Sequence, residues 1–193
     1  MLDLLDQAFA LVCGQNPAHT WSSGGIALPL CQRCTGLYAG AALGFVLHLA
    51  LRPGPTPRFL RIHGAFLLQM APVGFGLVPQ GPWLKAASAA AFALGLVAFL
   101  WLPLGSAGPR DPGKGPAPAA IHFVSAALGI AAILGFAWAG LTYASAGPAV
   151  ASALSATGAA GLLALVGLAL ADIAVLAART FPALGSSRRG SSP

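Results

Sequence analysis

The 193-residue chain contains no glutamate, and its four acidic residues are Asp3, Asp6, Asp111 and Asp172. Charged residues make up 7% of it, against about 25% in an ordinary soluble domain. So few charges cannot cover the surface of a water-soluble globule of this size. That scarcity excludes a soluble enzyme domain and a disordered regulator. Cysteine is also scarce, at three residues, which excludes a disulfide-dense secreted module. The ten Lys and Arg residues give a net charge of +6, but they are sparse, form no amphipathic basic face and are not interleaved with aromatics. No nucleic-acid partner is expected. The chain also lacks a P-loop, a Rossmann fingerprint, an HExxH helix and a nucleophile elbow.

What remains is apolar. Hydrophobic residues make up 57% of the chain, with 25 Gly and 16 Pro. This is the composition of a small integral membrane protein, whose first partner is the lipid bilayer. A spanning helix needs about 20 mostly apolar residues. Five stretches meet or approach that length: Gly36–Leu51 (extending back toward Cys31), Phe59–Val78, Trp83–Leu104, Ala119–Leu141 and Ala149–Ala178. The second carries Pro72, Gly74, Gly76 and Pro79 in its outer half, where a kink or an unwound turn is expected. Gly129, Ala132 and Gly135, and Gly158, Gly161 and Ala164, provide small faces for close helix packing. The expected fold is an all-α polytopic membrane bundle of about five spans, preceded by a short amphipathic helix. That helix is read from Asp3, Asp6, Gln7 and Ala10 on one face and Leu2, Leu5, Phe9 and Val12 on the other. With acidic residues and no basic cluster at its start, the N-terminus does not read as a signal peptide.

Alternating five spans collects Arg52, Arg58, Arg61, Arg110, Lys114, Arg179, Arg188 and Arg189 on one side, and leaves Arg33 and Lys85 on the other. The positive-inside rule then places the C-terminus in the cytoplasm and the N-terminal segment outside. Three regions follow: an extracytoplasmic helix and cysteine loop (1–35), a transmembrane bundle (36–178) and a Ser/Gly-rich cytoplasmic tail, expected to be disordered (179–193).

All three cysteines, Cys13, Cys31 and Cys34, lie in the first 34 residues. Three chemistries compete for them. With His19 they form a Cys₃His set, and Cys31-x-x-Cys34 has the spacing of a zinc knuckle. Alternatively, Cys31 and Cys34 open a helix with Arg33 between them. Helix terminus and cation both favour a thiolate, which suits a thiol–disulfide oxidoreductase with Cys13 as the exchange partner. The third reading is small apolar cysteines packed in a loop. A second polar set, His48, His63, His122 and Asp172, falls near the cytoplasmic ends of the spans. It is a candidate intramembrane site for proton relay or metal binding.

The run Leu30-Cys31-Gln32-Arg33-Cys34-Thr35-Gly36-Leu37-Tyr38-Ala39-Gly40 resembles a prokaryotic membrane-protein family of unknown function, numbered 2085 among such domains. Its members carry a Cys-x-Arg-Cys-Thr-Gly-(Ile/Leu)-Tyr-x-Gly block leading into a span, with Cys-His-Gln-x-Pro about twenty residues earlier. Cys13, Gln15 and Pro17 match that upstream element, while Gly14 stands where the family carries His. His19 is the nearby imidazole that would substitute. The resemblance covers roughly the first 50 residues and continues weakly through the second and third spans. It implies that Cys13, Cys31, Arg33 and Cys34 form a unit, supported by Gln15, Pro17 and Thr35, and it carries no activity. Span one also resembles quinone-coupled disulfide-generating membrane oxidoreductases, which place a Cys-x-x-Cys at the outer end of a helix. Those enzymes use a second cysteine pair, whereas this chain has one cysteine left over. The leading expectation is a metal-binding, zinc-like external loop. The alternatives are thiol–disulfide oxidoreductase chemistry, with a quinone as its cofactor, and a non-catalytic subunit of a larger membrane complex.

Overall fold

The structure, a computed structural model, describes residues 2–23, 26–51, 56–105, 127 and 148–180. In chain order these form α1 (Leu2–Ala10), a 3₁₀ turn (Pro17–His19), β1 (Thr20–Ser23), β2 (Ile26–Cys31), α2 (Gln32–Leu51), α3 (Pro57–Leu68), α4 (Met70–Gly74), α5 (Pro82–Gly105) and α6 (Pro148–Thr180). Among the described residues, three helical segments are long and apolar enough to cross a membrane: Gln32–Leu51, Pro82–Leu104 and Ala149–Ala178, with mean hydropathies of 1.6, 2.0 and 2.3. At 1.5 Å per residue, α2 is about 30 Å long, the thickness of a bilayer's hydrocarbon core.

The second stretch departs from a continuous span. Helix α3 starts where Thr56 Oγ1 accepts the Phe59 N–H at 3.2 Å and Pro57 occupies the first turn, the usual chemistry of a helix start. It stops at Leu68. Continuing it would drive the Pro72 ring into the carbonyl of residue 68 and leave that carbonyl without its donor. The chain breaks at Gln69, whose Nε2 donates to Phe66 O at 3.1 Å and to Ser88 O on α5 at 2.8 Å. A short α4 then ends at Gly74, before Gly76 takes φ +72°. Residues 59–78 therefore hold two short helices, neither long enough to span alone. The fourth predicted span, Ala119–Leu141, lies outside the described residues, as does the 181–193 part of the tail.

Helix α2 lies between α5 and α6 and packs on both, and α3 packs on α5. Small residues set the spacing. A Cβ at Gly36 would run into the backbone of Ala86, and one at Gly40 would lie 2.6 Å from the Ala90 carbonyl oxygen. One at Gly44 would meet Leu94 and Val97 at 3.3 Å. On the other side, a Cβ at Gly161 would strike the Tyr38 carbonyl. Without a hydrophobic drive between helices in lipid, such backbone approach is what holds them together. The matched order of these contacts makes α2, α5 and α6 run in the same direction. Alternating spans require that of the first, third and fifth.

Ahead of the bundle, β1 and β2 form an antiparallel hairpin with Ser23 opposite Ile26 and Thr20 opposite Cys31. The segment expected as a cysteine loop is thus a two-stranded hairpin within a mostly helical chain. The signal was present: Gly24-Gly25 between two short runs is a hairpin-loop composition. Helix α1 packs on β2 and α6 through Phe9, which is buried and stacks on Tyr38 at 6.3 Å. Leu4 and Leu11 remain exposed.

These contacts predict opposite outcomes for one chemical change at two glycines. Gly36→Ala inserts a methyl into the α2–α5 contact and should lower stability by about 1–3 kcal/mol. Gly167→Ala adds a methyl where nothing lies within 4 Å and should be neutral or stabilising by up to about 1 kcal/mol. Thermal unfolding in detergent micelles reads both.

Candidate metal centre

The three sulfurs converge. Their Sγ atoms all lie within 4.8 Å of one another, and all three cysteines are free thiols. Three local structures deliver them. Cys13 sits just past α1, where its N–H donates to Phe9 O at 2.8 Å and turns the chain inward, and it is buried. Cys31 ends β2 and stands at the cap position of α2. Cys34 lies three residues further, in the first turn. Both are half-buried. Phe9, Leu30 and Tyr38 wall the cluster together with Leu37, Ala159 and Leu162.

Hydrogen bonds hold this geometry. Cys31 N–H donates to Cys13 Sγ at 3.4 Å, which ties the sulfur after α1 to the end of the hairpin. Thr35 Oγ1 donates to Cys31 O at 3.0 Å. Gln15, at φ 44°, uses one amide nitrogen three times: to Asp6 O at 2.9 Å, Asp6 Oδ1 at 3.0 Å and Pro29 O at 3.0 Å. It clasps α1 to β2 on either side of Cys13. Pro17 opens the 3₁₀ turn that Asn16 caps. Arg33 Nη2 reaches across to Gln80 Oε1 at 3.1 Å, and Gln80 Nε2 donates to the Val73 carbonyl.

Electrostatics favour thiolate at Cys31. The Cys34 thiol beside it is the main cause. Burial opposes, and the Cys34 N–H, the Cys13 thiol and the Arg33 N–H add to the lowering. The result holds Cys31 at about 5, well below the ordinary thiol range. The start of α2 contributes the physical setting, because its unpaired N–H groups point at the capping sulfur.

His19 is not brought to the sulfurs. It is exposed, and its Nδ1 accepts from Lys85 Nζ at 3.2 Å. The 3₁₀ turn and the hairpin carry it outward to the start of α5, where Trp21 stacks on Trp83 at 4.6 Å. Among the described residues, the group able to hold a metal is Cys13, Cys31 and Cys34. Sequence reasoning missed the apolar walls Phe9 and Tyr38, and also Gln32, whose buried Oε1 has no partner.

The second predicted set lies at the far end of α2. His48 and His63 are both buried, with ring centroids 6.0 Å apart. Their Nδ1 atoms engage the carbonyls four residues back, Gly44 O at 2.7 Å and Phe59 O at 3.0 Å. The rings of Phe59 and Trp101 flank His48 at 5.9 and 6.0 Å. His48 Nε2 and Asp172 Oδ1 are buried without a hydrogen-bond partner. His122 lies outside the described residues.

The thiol environment makes a checkable prediction. The rate at which iodoacetamide alkylates Cys31 should be flat from neutral pH upward and fall as pH drops through about 5, because protonation removes the nucleophile. Cys34→Ala removes the main hydrogen-bond donor, so the midpoint should move up toward the ordinary thiol value. Residue-resolved mass spectrometry of the alkylated protein reads both profiles.

No curated protein and no solved structure matches the chain. A family model described as "Predicted membrane protein (DUF2085)" matches residues 13–99. That segment begins at Cys13 and takes in the hairpin, α2 and most of α5. Residues 13–99 are thus similar to the DUF2085 family model, the same family that the Cys31–Gly40 block resembles.

Proposed function

We propose that Cys13, Cys31 and Cys34 bind one soft divalent metal ion, zinc-like, at the extracytoplasmic end of the bundle. The observation that carries this reading is the convergence of every sulfur of the three cysteines within 4.8 Å, unpaired by a disulfide. Tetrahedral Zn–S bonds of about 2.3 Å require sulfurs about 3.8 Å apart. A small inward movement of half-buried side chains supplies that. The N–H donated to Cys13 Sγ and the cap position of Cys31 stabilise the anionic sulfurs that a metal needs. His19 faces Lys85 and is no part of the set as it stands.

The sidedness rests on charge. Arg33 and Lys85 belong to the cysteine end, while Arg58 and Arg61 lie on the first turns of α3, close to the residues that pack on His48. The more basic end fits the cytoplasm. The exposed apolar face of α6, including Leu163, Val166, Leu170 and Ile173, suits contact with lipid.

A second reading is thiol–disulfide exchange by Cys31 and Cys34. The low thiol range of Cys31, set by its neighbour Cys34, favours it.

Metal analysis separates the two. Protein purified with zinc present should hold one zinc per chain. Cys13→Ser, Cys31→Ser and Cys34→Ser should each weaken zinc binding more than about 100-fold, since outer-shell changes alone typically cost 10–100-fold. His19→Ala should leave affinity unchanged. Zinc-free protein in which Cys31 and Cys34 cycle with a quinone or a thioredoxin-like partner would refute the metal reading and support exchange.

A further inference from the structure

The three-sulfur set ends without a fourth donor: among the described residues, the group able to hold a metal comprises Cys13, Cys31 and Cys34 and no other side chain. The nearest imidazole in the sequence is held away by Lys85, at 3.2 Å from its Nδ1. Beside the buried Cys13, Gly14 is exposed, and a Cβ there would meet nothing within 4 Å. Among the described residues, there is thus room next to Cys13 and no donor side chain that fills it. Structural zinc sites are closed by four protein ligands, whereas sites with three keep one position for an exchangeable partner.

We infer that the metal centre is open at one coordination position beside Gly14, and that this position takes an exogenous thiol. The inference rests on the metal-binding reading above. Three thiolates donate strongly and leave a divalent ion electron-rich. Such an ion acidifies bound water poorly and favours a further soft donor over oxygen. A fourth sulfur completes the common all-sulfur tetrahedron. Cys31 and Cys34 are only half-buried and Gly14 is exposed, so a small thiol reaches the sulfurs from the solvent side. On binding, the thiol releases its proton to solvent as its sulfur displaces a water from the metal, and no electrons are transferred. Metal coordination keeps the bound sulfur as thiolate, so the centre selects and holds a thiol substrate in its nucleophilic form.

Cobalt(II) tests this in the full-length protein in detergent micelles, with 2-mercaptoethanol as the probe. The loaded protein should show the visible ligand-field bands of a tetrahedral ion. Adding the thiol should shift them and raise the sulfur-to-cobalt charge-transfer absorbance by about one third, as three sulfurs become four. Gly14→His places an imidazole at the open position, so it should bind cobalt at least as tightly and lose the response to thiol. Bound cobalt whose bands do not move at saturating thiol would overturn the open-site inference and leave the metal reading intact. A response that survives in Gly14→His would overturn the placement beside Gly14. Failure to take up cobalt at all would overturn both the inference and the reading beneath it.

Discussion

The start of α2 is where backbone geometry and sulfur chemistry meet. A helix begins with N–H groups that have no partner within the helix, and here the capping residue is Cys31, with Cys34 in the first turn. The same turn carries Thr35, which hydrogen-bonds back to Cys31 O. One and two turns along, Gly36 and Gly40 lie against the backbone of α5. Two of the three sulfurs are therefore set on a helix that packs against both α5 and α6. The third is brought in by a different route, through Phe9, the turn at Cys13 and the Gln15 clasp. Loss of the α2–α5 approach would disturb all three at once.

The two ends of the bundle differ in kind. At one end the polar groups are sulfur, beside the hairpin, with Lys85, His19 and the stacked Trp21–Trp83 pair at the rim. At the other end, His48 and His63 are buried among aromatic rings, with their Nδ1 atoms tied to helix carbonyls. Polar atoms left unpaired inside a span are costly. His48 Nε2 and Asp172 Oδ1 are such atoms. Fourteen residues of helix separate Cys34 from His48, which is about 21 Å at 1.5 Å per residue. The two sites are too far apart for direct contact.

Much of this was legible in the sequence because lipid imposes strict rules. Length and apolarity located α2, α5 and α6 within a few residues. The concentration of cysteine in the first 34 residues, with the Cys31–Gly40 block, pointed to one sulfur unit. Other features escaped for physical reasons. The break at Gln69 follows from the reach of the Pro72 ring to residue 68, one turn back, so the helix fails before the proline and not after it. Only the Gly24-Gly25 turn signals the hairpin, because β2 holds Pro29 in a run of buried Leu28, Pro29 and Leu30 with no clean alternation. Gly36-x-x-x-Gly40-x-x-x-Gly44 was readable as a small-residue face, yet only packing shows that α5 is its partner. His19 is close to the cysteines in sequence, but a 3₁₀ turn with a hairpin directs it to Lys85.

The account stands on three sulfurs sharing one ion. X-ray absorption at the zinc edge of the loaded protein measures that sharing directly. It should show three sulfur scatterers at about 2.3 Å, completed by one further ligand. A shell of oxygen and nitrogen alone, or sulfur paired with sulfur at about 2.05 Å in place of the metal, would contradict it.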